Sequence, residues 1–443
     1  MLGFELSFGN DTYISTIKMH TKYKCKISEA IKEVTFDLLN FSNFNNLLKD
    51  SIKNRDKNNV CSSLNKIIFL FGNVGNEFLK QDFDFIIESG FFDSLKCLLE
   101  VDFDSEIYVA LVKCLAILAS FKVQDDIINH FINENLFIRR ILDIFNNESL
   151  TLELQIWILI FCGNVFSNPL IANSYIHEIM NIICSILYSE KNNVELIYSI
   201  CFTCFSISYK TKIPDEYVKG IVVAYRMLHM QLIEINNDLS KIIQLYILQT
   251  IYYISKHSTS INILIESAIP NYLFGIVKFC NDQKLLKYIL KILLNILNGC
   301  SKENFLLFRD FFDFEYFKSI FSSKDPDLIL INCKIFNKLI LYDNNIIYRL
   351  LETNFINEIL ACLNDLNYET KREISNLISN ILINCESNES LSSFINQDIV
   401  ELLIDFTNIE NQDFGLGALT RIFTLTFDNP EIHHLIEPYV LDT

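Results

Sequence analysis

Leu154 to Leu187 reads LQIWILIFCGNVFSNPLIANSYIHEIMNIICSIL, and the rest of the chain reads as looser copies of it. An apolar helix ends at Cys162-Gly163-Asn164-Val165, a polar break follows at Ser167-Asn168-Pro169, and two shorter apolar helical pieces run on to Leu187. Working outward, comparable helices are expected at 61–74, 106–119, 194–208, 241–255, 284–298, 328–341, 371–384 and 416–426. With Asn164 as anchor, the equivalent positions are Asn73, Ile117, Ser206, Tyr253, Asn295, Lys338, Asn380 and Thr424. The interval is roughly 42 to 47 residues, which is the range of helical repeats.

Between these helices a second grammar recurs: an apolar helix of two turns, a small or polar corner, and another apolar helix. Asp84-Phe-Ile-Ile-Glu-Ser-Gly90-Phe-Phe-Asp-Ser-Leu shows it best. Each copy is a helix triplet that cannot bury its own apolar faces, so neighbours must stack. The expected architecture is therefore all-α, an elongated superhelical solenoid of about nine three-helix repeats. Residues 28–57 read as capping helices, 58–430 as the repeat array and 431–443 as a C-terminal cap, while 1–27 read as an N-terminal tail outside the pattern.

Composition narrows the function classes. Eleven glycines and six prolines in 443 residues disfavour turn-rich β folds, and 50% apolar residues suffices for a large core. The net charge of −17 repels phosphate backbones and attracts basic partners, so direct nucleic-acid binding is not expected. The first 57 residues differ, with nine basic against seven acidic side chains. Thirteen cysteines scattered through apolar runs suit reduced, buried thiols of a cytosolic or nuclear protein. The start, MLGFELSFGNDTY, lacks the charged and apolar regions of a secretory signal. The longest apolar run, 156–166, is too short to cross a bilayer, so no membrane span is expected.

The pairing of Leu154–Val165 with Ile86-Ile-Glu-Ser-Gly90-Phe-Phe-Asp-Ser-Leu95 resembles the armadillo-repeat family, and within it the importin-alpha (karyopherin-alpha) adaptors. The resemblance covers roughly 58–430. It implies an armadillo-type right-handed superhelical solenoid with a groove in which asparagines bind the backbone of an extended basic peptide or cargo protein, while Trp rings hold its Lys and Arg stems. An amide supplies donor and acceptor, an indole face attracts a cation, and an acidic rim supplies the field. Carried over by position, the asparagine is present at Asn73, Asn164, Asn295 and Asn380. The Trp position, four residues earlier, holds Phe69, Lys113, Ile160, Phe202, Gln249, Lys291, Lys334, Asn376 and Thr420, and never Trp. Peptide-groove candidates are thus Asn73, Asn164, Asn295, Asn380, Phe69 and Phe202. Trp157, two turns before Asn164, is either a displaced groove aromatic or a core residue. The resemblance also implies importin-beta as a partner, recruited by a basic N-terminal segment. Lys18-Met-His-Thr-Lys22-Tyr-Lys24-Cys-Lys26 is the one candidate, with a solvated tail as the alternative reading.

No stretch carries catalytic chemistry, and an enzyme is the least supported class. Cys201-Phe-Thr-Cys204 lacks the second ligand pair of a zinc site and the strand context of a redox motif, so two core thiols on one helix are expected. Gly72-Asn-Val-Gly-Asn76 lacks the Lys-Ser/Thr of a phosphate loop. Asp125-Asp126 and Asp325-Pro-Asp327 stand at helix starts, where carboxylates cap free N–H groups. No cofactor or metal is implied. Two function classes remain: an import adaptor for basic peptides, and a general armadillo scaffold unrelated to import.

Overall fold

A computed structural model describes residues 37–74, 80–100, 104–121, 136–146, 150–189, 193–235, 237–323, 325–353, 355–363, 366–407, 412–428, 433 and 435. Among them the chain is entirely helical, with 23 α-helices, three short 3-10 helices and no strand. All nine long apolar helices expected from the period are present, extended by up to four residues at their N-termini. The extension has a local cause. Thr151, Asn193, Asp282, Asp325 and Asn367 each accept a hydrogen bond from a backbone N–H of the first turn, which fixes where the helix begins. The capping role expected for Asp325 is seen; Asp125 and Asp126 lie outside the described residues, as do 1–36.

The two-helix grammar is seen at the corner that showed it best. Lys80–Glu88 and Phe91–Glu100 are separate helices, and Gly90 between them sits at φ 67°, a left-handed conformation that a residue without Cβ adopts at little cost. Between 169 and 187 the expectation fails. Pro169–Leu187 is one uninterrupted helix, because Asn168 caps it, Pro169 occupies its first turn, and no glycine or proline interrupts the run to Leu187. Asp215–Ile235 is likewise a single helix.

The chain divides into two compact units, Met1–Ile254 and Ser255–Thr443. In the first, Lys57–Val74, Ser105–Ser120, Leu152–Val165 and Val194–Lys210 pack each against the next. In the second, Gln283–Gly299, Pro326–Tyr342, Tyr368–Asn384 and Gln412–Asp428 do the same. Polar side chains tie these successive helices together at recurring sequence separations. Asn164 reaches Ala116 over 48 residues and Thr203 reaches Leu159 over 44. Tyr342 reaches Leu297 over 45, and Asn380 reaches Asn337 over 43.

Aromatic clusters fill the space beneath these stacks. Phe41, Phe71 and Phe91 meet at centroid distances of 5.9, 5.3 and 6.2 Å in the first unit. Phe321, Phe336 and Phe355 meet in the second. A side chain of this size contributes about 2–3 kcal/mol on burial, so packing rather than local propensity carries these Ile-, Phe- and Asn-rich helices.

Pro169–Leu187 is, among the described residues, the one straight helix long and apolar enough to span a bilayer by length and composition, and half of the qualifying window is buried. Beyond the exposed Leu170 in its first turn, its outward positions Asn173, Ser174, His177, Asn181 and Ser185 are polar. That pattern fits a core helix better than a lipid-facing one.

Candidate functional site

Three successive long helices of the first unit line an open cleft of about 490 Å³. Cys61 and Asn65 come from Lys57–Val74, Glu106 and Lys113 from Ser105–Ser120, and Leu152 and Glu153 from the start of the next helix. Glu106 and Glu153 stand in the first turns of neighbouring helices, where the macrodipole favours an anion. Burial pushes the Lys113 ammonium below its ordinary value, and the Glu153 carboxylate opposes that shift. Burial, reinforced by Glu106, raises the Cys61 thiol. The cleft therefore holds two carboxylates and an amide around a partly desolvated lysine, an arrangement able to bind a cation or a peptide group.

Phe69 extends the face that carries Cys61 and Asn65, at four-residue steps along the helix, and is 66% exposed. Among the groove candidates whose side chains are described, it is the one that lies open. Asn73 is in the last turn of the same helix, and its side chain lies outside the described residues.

The other candidates of the first unit are inside the protein. Trp157 is 3% exposed, so the core alternative is the one the structure shows, and the Lys113 ammonium already lies 5.2 Å from its ring centroid. The cation over the indole face is the chain's own. Phe202, expected at the groove, is fully buried; it stacks on Tyr198 and meets Tyr246. Asn164 is 5% exposed and its Nδ2 donates to the Ala116 carbonyl at 2.8 Å. Asn164 and Phe202 are corrections: Leu152–Val165 is apolar around its whole circumference and covered on nearly every side, and Val194–Lys210, which carries Phe202, is buried along most of its length. An Asn164→Ala variant is accordingly expected to lose about 1 kcal/mol, the net worth of the hydrogen bond to Ala116. A thermal melt checks this; an unchanged melt would return Asn164 to an exposed role.

The second unit is different. Asn295 is half-buried and its Nδ2 donates to Ser255 Oγ at 2.9 Å. Asn380 Nδ2 donates to Asn337 Oδ1 at 2.8 Å, and Asn337 Nδ2 to Glu373 Oε1 at 3.0 Å. Asn337 was not among the expected residues, its place having gone to the adjacent Lys338. The signal was present: 337 lies 42 residues after Asn295 and 43 before Asn380, one repeat in each direction. Nearer the helix starts, Lys287 bridges Asp325 at 3.0 Å and Asp327 at 2.9 Å. Hydrogen bonds to Asp327 and Asp325 raise the lysine's pKa, and the bond to Lys287 lowers that of Asp327.

Cys201 and Cys204 are fully buried free thiols beside the Tyr225 hydroxyl. Burial pushes Cys204 up to about 12 and Cys201 well above its ordinary value, which makes both poor nucleophiles. Among the described residues no group of three or more His, Cys, Asp or Glu side chains is arranged to hold a metal ion.

No protein-family model matches the chain, and no curated protein matches it. Among solved structures it is similar to an engineered protein from the Northeast Structural Genomics Consortium, with a TM-score of 0.65, 15% identity, and coverage of 87% of this chain and 89% of that one. Two further engineered proteins of that consortium align at 17% and 16% identity over 58% of this chain and 97% and 99% of their own, with TM-scores of 0.45 and 0.46. The first of these likenesses, at 15% identity, is one of fold alone.

Proposed function

We propose that the chain is a non-enzymatic, protein-binding scaffold, each unit of which is a stack of armadillo-type helix triplets, about nine in all as the sequence period implies. The observation that carries the reading is the recurrence of inter-helix side-chain bonds at one repeat's separation, between 40 and 48 residues, in both units. Repeats stacked in this way present the same face of one helix after another, a surface suited to an extended polypeptide. Immobilised full-length chain panned against a random peptide library is expected to enrich peptides with a shared motif and micromolar affinity. Enrichment no greater than on a blank surface would overturn the scaffold reading.

A second reading has its own observation. The first unit's cleft sets Glu106, Glu153 and Asn65 around Lys113, and Phe69 is exposed one turn beyond Asn65 on the same helix, in a chain of net charge −17. That chemistry fits Lys and Arg side chains and supports an importin-alpha-like adaptor of cytoplasm and nucleus, with importin-beta as its further partner. Fluorescence anisotropy with a bipartite Lys/Arg-rich import peptide tests it. Binding is expected to weaken with salt, because exposed charge is screened beyond about 8 Å at physiological ionic strength. It is expected to fall about tenfold, roughly 1.4 kcal/mol, in a Glu106→Gln, Glu153→Gln variant. Absence of binding, or binding indifferent to the variant, removes this second reading and leaves the scaffold.

A further inference from the structure

The cleft of the first unit carries an amine whose chemistry neither reading uses. Lys113, on Ser105–Ser120, is half-buried and lines the open volume of about 490 Å³ together with Cys61, Asn65, Glu106 and Glu153. Lys57, at the start of the neighbouring helix, is bound to Asp104 at 2.8 Å, whereas Lys113 forms no ion pair among the described residues. Its ammonium lies 5.2 Å from the Trp157 ring centroid instead. Burial favours the uncharged amine, and the Glu153 carboxylate opposes it. A desolvated lysine of this kind adds readily to carbonyl carbon. The thiol of the cleft does not compete, because burial and Glu106 raise Cys61 and keep it protonated.

We infer that the cleft captures a small, uncharged aldehyde as an imine on Lys113, whether or not the chain binds peptides. The neutral amine adds to the carbonyl carbon, and the carbinolamine then loses its oxygen as water, together with both protons that the nitrogen carried. A C=N bond replaces the C=O bond, nothing is oxidised or reduced, and the imine nitrogen takes up one proton from solvent. The product is a cation where the ammonium stood. The groups around the ammonium suit it equally: the indole face of Trp157 and the carboxylates of Glu106 and Glu153. An open cleft of about 490 Å³ has room for a ligand the size of a benzene ring. The same carboxylates select by charge. An anionic carbonyl compound, such as a 2-oxo acid, is repelled where a neutral aldehyde is not.

The test is reductive trapping on the full chain with benzaldehyde and with 4-formylbenzoate, which share a reactive group and differ by one negative charge. Cyanoborohydride fixes each imine as a secondary amine, and peptide mass spectrometry reads it at Lys113 and at the exposed Lys219. At pH 7 benzaldehyde is expected to label Lys113 at least about threefold faster than Lys219, and that preference should vanish in urea. Relative to Lys219, 4-formylbenzoate should label Lys113 at least about threefold more slowly than benzaldehyde does. That gap should close in a Glu106→Gln, Glu153→Gln variant. Trp157 is the chain's one tryptophan, so its fluorescence reports the site directly. After trapping and removal of free benzaldehyde, the emission should be changed in the parent and unchanged in Lys113→Arg, which keeps the charge but forms no imine. Labelling of Lys113 no faster than of Lys219, or a preference that survives unfolding, overturns the inference. So does indifference to the aldehyde's charge, a charge gap that persists in the double variant, or a fluorescence change retained in Lys113→Arg.

Discussion

A Gly163→Val variant is expected to lose about 3 kcal/mol of stability, since overpacking a well-filled core costs about 1–3 kcal/mol and a β-branched side chain in a helix adds to it. The position has no room. A Cβ built on Gly163 lies 2.6 and 2.8 Å from two ring carbons of Phe202 and 3.2 Å from Thr203 Oγ1. Neither neighbour can give way. The Phe202 ring is fully buried against Tyr198 and Tyr246, and the Thr203 hydroxyl is fixed by bonds to the Leu159 and Ser199 carbonyls. Gly163 is thus what lets Leu152–Val165 and Val194–Lys210 approach as closely as they do. The contrast is Gly275, whose added Cβ meets nothing within 4 Å. Gly275→Ala should gain about 0.5–1 kcal/mol from reduced backbone freedom in the unfolded chain. Urea titrations of the two variants give opposite shifts of the midpoint. A Gly163→Val midpoint equal to the parent's would mean that the two helices do not pack as described.

Acid is expected to destabilise the protein well before its carboxylates titrate. His229, on Asp215–Ile235, is 2% exposed, and burial pushes its pKa down to about 4 from an ordinary 6.5. Between those values the unfolded chain binds a proton that the folded chain refuses, so stability falls as pH drops from about 6.5 to about 4, and this contribution is constant outside that window. At about 1.4 kcal/mol per pKa unit the loss comes to roughly 3 kcal/mol. The lowered Asp327 acts elsewhere on the scale, its contribution fading only below the ordinary carboxylate value of 3.8. Stability measured by urea titration at pH 7, 5.5 and 4.5 should show the decline, and a His229→Gln variant should flatten it. An equal slope in parent and variant would assign the decline to other groups.

Much of the fold was legible because it rests on two strong signals, a repeat near 43 residues and helix-start residues such as Asp325 that cap the first turn. Where the helix is amphipathic the surface was legible too. Gln283–Gly299 alternates apolar positions with Lys287, Lys291 and Asn295, and those three are half-exposed as the pattern implies. Leu152–Val165 offers no such contrast, because a helix apolar on every side does not say which residue faces out. Asn164 there, and Phe202 on the equally buried Val194–Lys210, were placed by analogy of position and Trp157 was left open between groove and core; the structure puts all three inside. The continuity of Pro169–Leu187 was missed because the corner seen at Gly90 was carried over to a stretch that holds no residue able to break a helix.

The ties between successive helices, set one repeat apart, also govern how the chain reaches its native state. Contacts that close after some 40 residues involve short loops, whose closure entropy grows only slowly with length. Relative contact order is low for so long a chain, and low contact order goes with rapid folding. Each helix emerging during synthesis finds its partner in the segment just before it, so structure can grow outward from any completed pair. The same locality lets the ends open while the middle stays closed. Amide hydrogen exchange should therefore grade along the first unit, slowest in Leu152–Val165 and Val194–Lys210, where burial is greatest.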